Sequence, residues 1–248
     1  MDDVGDLLRT ARAAYADGDW HSAYDGLSRA RQRSTLAADD LEALSNAAWW
    51  LGLIKETLTI SETVYQRFLD DGQPSRAAMN ALELGLLWSV RGDLAIGSGW
   101  ISRARRILEE QPEGPEHGYL LYVDASLALE MNDLQPAIRH SSRLQELGRR
   151  FETPALTSLG LVLAGLVEIR SGRTAQGFAL LDEAMLPILA DQVPPEWATD
   201  VYCTMIHVCH ELADLRRMRE WTEATERWCS RFSSAVVVLG ICSVHRLE

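Results

Sequence analysis

The stretch Gly18-Asp19-Trp20-His21-Ser22-Ala23-Tyr24-Asp25-Gly26-Leu27-Ser28-Arg29-Ala30 decides the fold, because its opening turn and its small-residue spacing return along the chain. The turn recurs as Gly52-Leu53-Ile54, Gly92-Asp93-Leu94, Asn132-Asp133-Leu134, Gly172-Arg173-Thr174 and Ala213-Asp214-Leu215, at intervals of 34, 40, 40, 40 and 41 residues. Self-similarity on that scale marks a repeat solenoid, in which each unit buries its apolar face against its neighbours.

The repeat extends beyond the turn. Five residues after each turn start stand Ala23, Thr57, Gly97, Ala137 and Gly177, with Met218 as the exception; twelve after stand Ala30, Val64, Ala104, Leu144, Ala184 and Thr225. Seven residues before it come Ala11, Ser45, Gly85, Ala125, Gly165 and Ile206. Small side chains there let two antiparallel helices approach closely, so each unit reads as helix A, tight turn, helix B. Gly or Asn at the turn start supplies the left-handed conformation that ends helix A, and the following Asp can cap helix B. Breakers separate each helix B from the next helix A: 70–75 (DDGQPS), 111–115 (QPEGP), Thr153-Pro154 and 193–195 (VPP). Pro136 falls in the first turn of a helix B, whereas Pro187 must either kink its helix or end it early.

The motif Gly18, Asp19, Trp20, Ala23, Leu27, Ala30 resembles the tetratricopeptide repeat (TPR), and the resemblance covers nearly the whole chain. The spacing of forty departs from that family's usual thirty-four. Longer helices at this period resemble the TPR-type sensor regions of actinobacterial LuxR-family and MalT-like transcriptional regulators. The segments 11–27, 177–185 (GFALLDEAM), 201–221 (VYCTMIHVCHELADLRRMREW) and 242–246 (CSVHR) carry that likeness. The expected fold is all-α, a right-handed TPR-like superhelical solenoid of about six helix-turn-helix hairpins plus a terminal helix. Its repeats fall at about 4–33, 39–70, 75–110, 115–148, 154–190 and 195–230, with a partial one at 234–248, in a single solenoid domain over 1–248.

The last segment, 234–248 (SAVVVLGICSVHRLE), reads as a seventh helix A whose Val236, Val237, Val238, Leu239 and Ile241 no helix B follows to cover. Terminal repeats of soluble arrays carry a polar outer face. The expectation is therefore that the chain is the amino-terminal part of a longer protein, or that this helix makes a homodimer. In the resembling regulators a helix-turn-helix domain would follow; nothing in these residues resembles one.

Charge narrows the functional classes. With 24 Lys and Arg against 36 Asp and Glu, the net charge is −12. Such a surface repels a phosphate backbone, so the chain is not expected to bind nucleic acid directly. Lys55 is the only lysine, a bias that points to a GC-rich, actinobacterial genome. The arginine clusters at 103–106, 149–150 and 216–219 read as solvated helix faces beside acidic neighbours. No apolar run reaches the length of a membrane helix and Met1 is followed by Asp2 and Asp3, so a cytoplasmic protein without membrane contact is expected.

One constellation bears on chemistry. Cys203, His207 and His210 share a face at i, i+4 and i+7, with Cys209 and Glu211 nearby, and such ligands suit zinc. No paired Cys-x-x-Cys or His-Glu-x-x-His accompanies them, so buried thiols and groove-facing histidines are the preferred reading and neither metal nor cofactor is expected. Cys203, Cys209, Cys229 and Cys242 crowd the last fifty residues and read as buried thiols. Gly97-Ser98-Gly99 lies at the small-residue position of a helix B, where close packing accounts for it. No phosphate-binding loop, dinucleotide fingerprint or nucleophile elbow occurs, and no enzyme is expected.

Resemblance to the TPR fold implies a concave face lined by helix A. Counting back six and three residues from each turn start gives Arg12 and Tyr15, Asn46 and Trp49, Leu86 and Ser89, Ser126 and Leu129, Leu166 and Ile169, and His207 and His210. Ten back adds Glu42, Tyr122 and Cys203. The candidate ligand-binding residues are Arg12, Tyr15, Asn46, Trp49, Tyr122, Ser126, His207 and His210, a set that suits a peptide helix or a small apolar ligand. Trp49 and Trp50 point about 100° apart on a helix, so only one can face the groove; Trp88 and Trp100 read as core. Asn46 matches one position of the family's carboxylate clamp, but no basic residue stands at the partner positions. Two functions follow: a regulatory recognition module of a LuxR-like regulator binding a protein, peptide or small effector, or a stand-alone scaffold assembling partner proteins.

Overall fold

The structure is a computed structural model that describes residues 3–232; the segment 234–248, and with it the expected terminal helix, lies outside the described residues. Twelve α-helices and no β-strand occur among the described residues. In chain order they are α1 (Val4–Ala16), α2 (Trp20–Arg33), α3 (Ala38–Trp50), α4 (Ile54–Asp70), α5 (Pro74–Val90), α6 (Leu94–Glu109), α7 (Pro115–Glu130), α8 (Leu134–Arg150), α9 (Pro154–Arg170), α10 (Thr174–Leu189), α11 (Pro195–Glu211) and α12 (Leu215–Cys229), of which α1 and α2, α3 and α4, α7 and α8, and α9 and α10 pack as consecutive pairs.

Each turn works as its residues dictate. The six turn starts all have positive φ: Gly18, Gly52, Gly92 and Gly172 between 72° and 90°, Asn132 at 58° and Ala213 at 54°. The next residue donates its N–H back over the helix end, Asp19 to the Ala14 carbonyl at 2.9 Å and Asp133 to that of Ala128 at 2.8 Å, which satisfies carbonyls the helix would otherwise leave open. Asp19, Asp133 and Asp214 then cap the following helix, accepting from the N–H of Ser22, Gln135 and Arg217. Leu53 and Arg173 stand at the same place without a side-chain cap. Pro74, Pro115, Pro154 and Pro195 each open a helix A, where a missing N–H costs nothing. Pro187 lies in the last turn of α10, which ends two residues later.

The small-residue positions lie at the hairpin contacts. Ala11, Ala23, Ala30, Ala104, Ala125, Ala137 and Ala184 are buried, as are Gly85, Gly97, Gly165 and Gly177. A Cβ on Gly177 would stand 2.6 Å from the Gly165 carbonyl oxygen, and one on Gly97 2.7 Å from that of Gly85. Ser45 replaces the small apolar residue in the second hairpin and uses its hydroxyl there, at 2.6 Å from the Ser61 hydroxyl.

The chain divides into two compact units: one holds the residues up to Arg103 together with those from Ala213 onward, the other is Ala104–Leu212. In each, one helix A is covered on most sides. In the first unit α3 buries Leu41, Leu44, Ala47, Ala48 and Trp50. In the second, α9 buries ten of its residues, among them Leu156, Leu159, Val162 and Leu163, packed by α7, α8, α10 and α11. The first unit also contains a contact between distant parts of the chain. Trp20 stacks on Trp50 with centroids 5.2 Å apart, and Phe232, just beyond α12, lies 5.9 Å from the first and 5.5 Å from the second. Trp228 of α12 completes the cluster, 4.9 Å from Phe232. Gly18 serves twice here, since a Cβ would meet the Phe232 ring at 2.9 Å in addition to the strain of its φ.

Candidate recognition surface

In the first unit, four of the candidate residues lie together on the A helices α1 and α3. Arg12 makes a bidentate pair with Asp40, its Nε donating to Oδ1 at 2.7 Å and Nη2 to Oδ2 at 2.8 Å; Arg12 is exposed and Asp40 buried. The Asn46 side-chain amide donates to the Tyr15 hydroxyl at 3.1 Å. Trp49 meets Trp50 edge to face at 4.8 Å; Trp50 is buried and Trp49 half-buried, so a single tryptophan of the pair reaches the surface. Tyr15, Asn46 and Trp49 are thus half-buried and fixed, the first two by their hydrogen bond and Trp49 by Trp50, the condition under which aromatic groups contact a partner at low entropic cost. Beside them, Arg76 of α5 donates to Asp39 at 2.6 Å and Glu42 at 2.7 Å, so the Glu42 position is already paired. Burial raises the Glu42 carboxyl pKa, while the Arg76 charge opposes the shift.

In the second unit the A face is used differently. Tyr122 was expected to be available in a groove; instead it is buried and its hydroxyl donates to Asp200 Oδ2 of α11 at 2.5 Å. Tyr119 stacks on Trp197 at 4.6 Å, and Tyr122 meets the same indole edge-on at 6.1 Å. Ser126 donates to the Tyr122 carbonyl at 2.9 Å. The physical reason is that α7 and α11 meet directly beside α9, so large side chains at these positions fill the space between the two helices. Burial raises the Asp200 pKa, and the Tyr122 hydrogen bond opposes that shift. The Tyr122 hydroxyl is itself pushed well up by burial and by the Asp200 charge.

His207 and His210 are exposed on α11, with His207 Nε2 3.4 Å from Glu211. Cys203 is half-buried rather than buried; Cys209 and Cys229 are buried. No group of three or more His, Cys, Asp or Glu side chains placed to hold a metal occurs among the described residues. Trp88 and Trp100, expected in the core, are half-buried beneath arginines: Arg91 lies over Trp88 at 5.0 Å and Arg103 over Trp100 at 4.9 Å. Arg105 leaves its expected solvated face for a bidentate pair with Asp124 of α7, at 2.9 and 2.7 Å.

Sequence reasoning missed two features. One is Asp200, which has no periodic position of its own and is found only through Tyr122. The other is a set of exposed apolar side chains beside the A-to-B turns: Val90 and Leu94 in the third hairpin, Leu127, Met131 and Ile138 in the fourth. Their signal was present in the apolar residues flanking those two turns.

These helices, turns and close contacts define an all-α TPR-like solenoid of helical hairpins. No protein-family profile matches the chain, and no curated protein matches its sequence significantly. Among solved structures it is similar to a tetratricopeptide repeat protein from Parabacteroides merdae, at 14% identity and a TM-score of 0.51, over 99% of this chain and 87% of that one. At that identity the likeness speaks for the fold. No helix among the described residues is long and apolar enough to cross a membrane.

Proposed function

We propose that the chain is a non-catalytic recognition module that binds a protein or peptide partner on its A helices, with the strip Tyr15, Asn46 and Trp49 as its principal contact. The observation that carries this reading is that the strip is fixed by internal hydrogen bonds and ring contacts yet keeps accessible surface. The repeat fold supports it, since stacked hairpins supply an extended face for recognition. Buried Tyr122 is withdrawn from the direct contacts, which leaves Arg12 beside the strip and, in the second unit by itself, Ser126, His207 and His210 as further candidates.

The finer reading is the sensor region of a LuxR-like regulator acting in the cytoplasm, in which partner binding favours one arrangement of the hairpins and biases a DNA-reading domain. The resemblance of 177–185 and 201–221 supports it, and the net charge of −12 argues that this chain itself does not touch DNA. The gene sequence beyond codon 248 separates this from a stand-alone scaffold. An encoded helix-turn-helix supports the regulator; a partner-binding protein with none supports the scaffold. The recognition reading is tested by selecting peptides from a random phage-displayed library on the whole protein. Trp49→Ala and Asn46→Ala should each abolish or strongly weaken binding of the selected peptides, and unchanged binding to both would contradict it.

A further inference from the structure

Four residues of α3, Asp39, Glu42, Asn46 and Trp49, stand at i, i+3, i+7 and i+10 and so share one face of that helix. At 1.5 Å per residue the stripe is about 15 Å long. Its two ends differ in chemistry. At one end stands the half-buried indole of Trp49, with Tyr15 of α1 joined to the neighbouring Asn46. At the other, Asp39 and Glu42 share a single arginine, Arg76 of α5, which donates to Asp39 Oδ1 and to Glu42 Oε2. That end is open to solvent: the Asp39 side chain is 75% exposed and that of Glu42 33%. Arg12 of α1 also feels the Asp39 charge, but both of its hydrogen bonds go to buried Asp40. Two arginines, Arg12 and Arg76, therefore face three carboxylates, and the excess charge at this end is negative. All of these residues belong to the first unit.

We propose that this stripe receives a peptide segment carrying an apolar or aromatic side chain for the Trp49 end and a Lys or Arg for the Asp39 and Glu42 end. The inference rests on the peptide-recognition reading above and adds the chemistry of the partner. A cation fits the acidic end for three reasons. Arg76 takes one oxygen of each carboxylate, whereas a carboxylate offers about four acceptor positions. Burial disfavours the Glu42 charge and Arg76 opposes that shift, so a second cation acts in the same direction as the first. The net charge of −12 draws a basic partner at longer range and repels an acidic one. Because the acidic end is exposed, its ion pairs govern specificity and association rate, while the aromatic end supplies the larger share of affinity. An extended segment covers the stripe with about five residues and a helical one with about ten.

The test uses the same displayed peptide library on the whole protein. Selected peptides should share an apolar or aromatic residue and a Lys or Arg at a constant separation from it. For a synthetic selected peptide, Kd should rise with ionic strength. Replacing its basic residue by norleucine should weaken binding about 3- to 5-fold at low salt, the range for an exposed ion pair, and remove most of the salt dependence. Asp39→Lys reverses an exposed charge in the first turn of α3. It should weaken the parent peptide roughly 10-fold and the norleucine peptide little, since the repulsion needs both charges. Circular dichroism checks that the variant folds; if it does not, the norleucine peptide and the salt series on the wild type still decide the question. Selected peptides that lose binding on Trp49→Ala yet show no basic preference, or a norleucine peptide that binds as tightly as its parent, would overturn the cationic end while leaving peptide recognition intact. Failure of the wild type to select any peptide would overturn both.

Discussion

At the scale of single residues, the turn starts separate what a side chain costs from what its backbone costs. Ala213 holds φ at 54°, a conformation an L side chain enters at a penalty, and glycine occupies the equivalent place in four of the other turns. Ala213→Gly should therefore stabilise the protein by about 1 kcal/mol in chemical denaturation, despite the entropy glycine adds to the unfolded chain. Gly172→Ala should destabilise it by about 1 kcal/mol, since nothing lies within 4 Å of the added methyl and only the φ of 81° resists it. A second residue-scale outcome concerns pH. The folded Asp200 carboxyl has its pKa raised above the ordinary 3.8 by burial, so the folded state favours its neutral form. That preference supports the fold at low pH and is lost as pH rises through the raised value. Asp200→Asn should thus be more stable than the wild type at neutral pH. The gap should close as pH falls through the raised value toward 3.8; a gap that widened on acidification would reverse the assignment.

At the scale of elements, the close approach of paired helices makes neighbouring glycines opposite in effect. Gly97 and Gly99 both lie in α6, two residues apart. A methyl on Gly97 meets the Gly85 carbonyl oxygen at 2.7 Å and the Ser89 nitrogen at 3.1 Å, whereas around Gly99 nothing lies within 4 Å. Gly97→Ala should destabilise by about 1–3 kcal/mol through overpacking, and Gly99→Ala should stabilise by up to about 1 kcal/mol through helix propensity. Equal effects in thermal unfolding would mean that the pair is not packed as described. This scale was the most legible in the sequence. A turn start, a small residue five later and another seven earlier are local signals, and Gly165 with Gly177 meet at their hairpin's contact as Gly85 and Gly97 do. The A face was less legible. Position counting found Tyr15, Asn46 and Trp49 but treated Tyr122 as equivalent. What differs at Tyr122 is the approach of α11 from two hairpins away, a tertiary distance that no repeat position encodes.

At the scale of the whole molecule, the aromatic cluster shows that α2, α3 and α12, far apart in the chain, share a core within the first unit. Trp20 and Trp50 are buried by one another and by Trp228 and Phe232, which follow more than 170 residues later. Sequence patterning marked Trp20 as a turn aromatic and gave no sign of its distant partners, because repeat logic specifies only neighbours. Trp228→Ala should cost about 3–5 kcal/mol and shift the tryptophan emission to the red as Trp20 and Trp50 meet water. Unchanged emission and stability would show that the cluster contributes nothing to the core.

Recognition on the A helices, and not on the apolar turn edges, is the reading on which the proposed function stands. Hydrogen–deuterium exchange of the whole protein with and without a selected peptide addresses it most directly. Slowed exchange is expected in α1 and α3 around Tyr15, Asn46 and Trp49, with the turn between α7 and α8 unaffected. Protection confined to the segment carrying Leu127, Met131 and Ile138, with α1 and α3 unchanged, would contradict it.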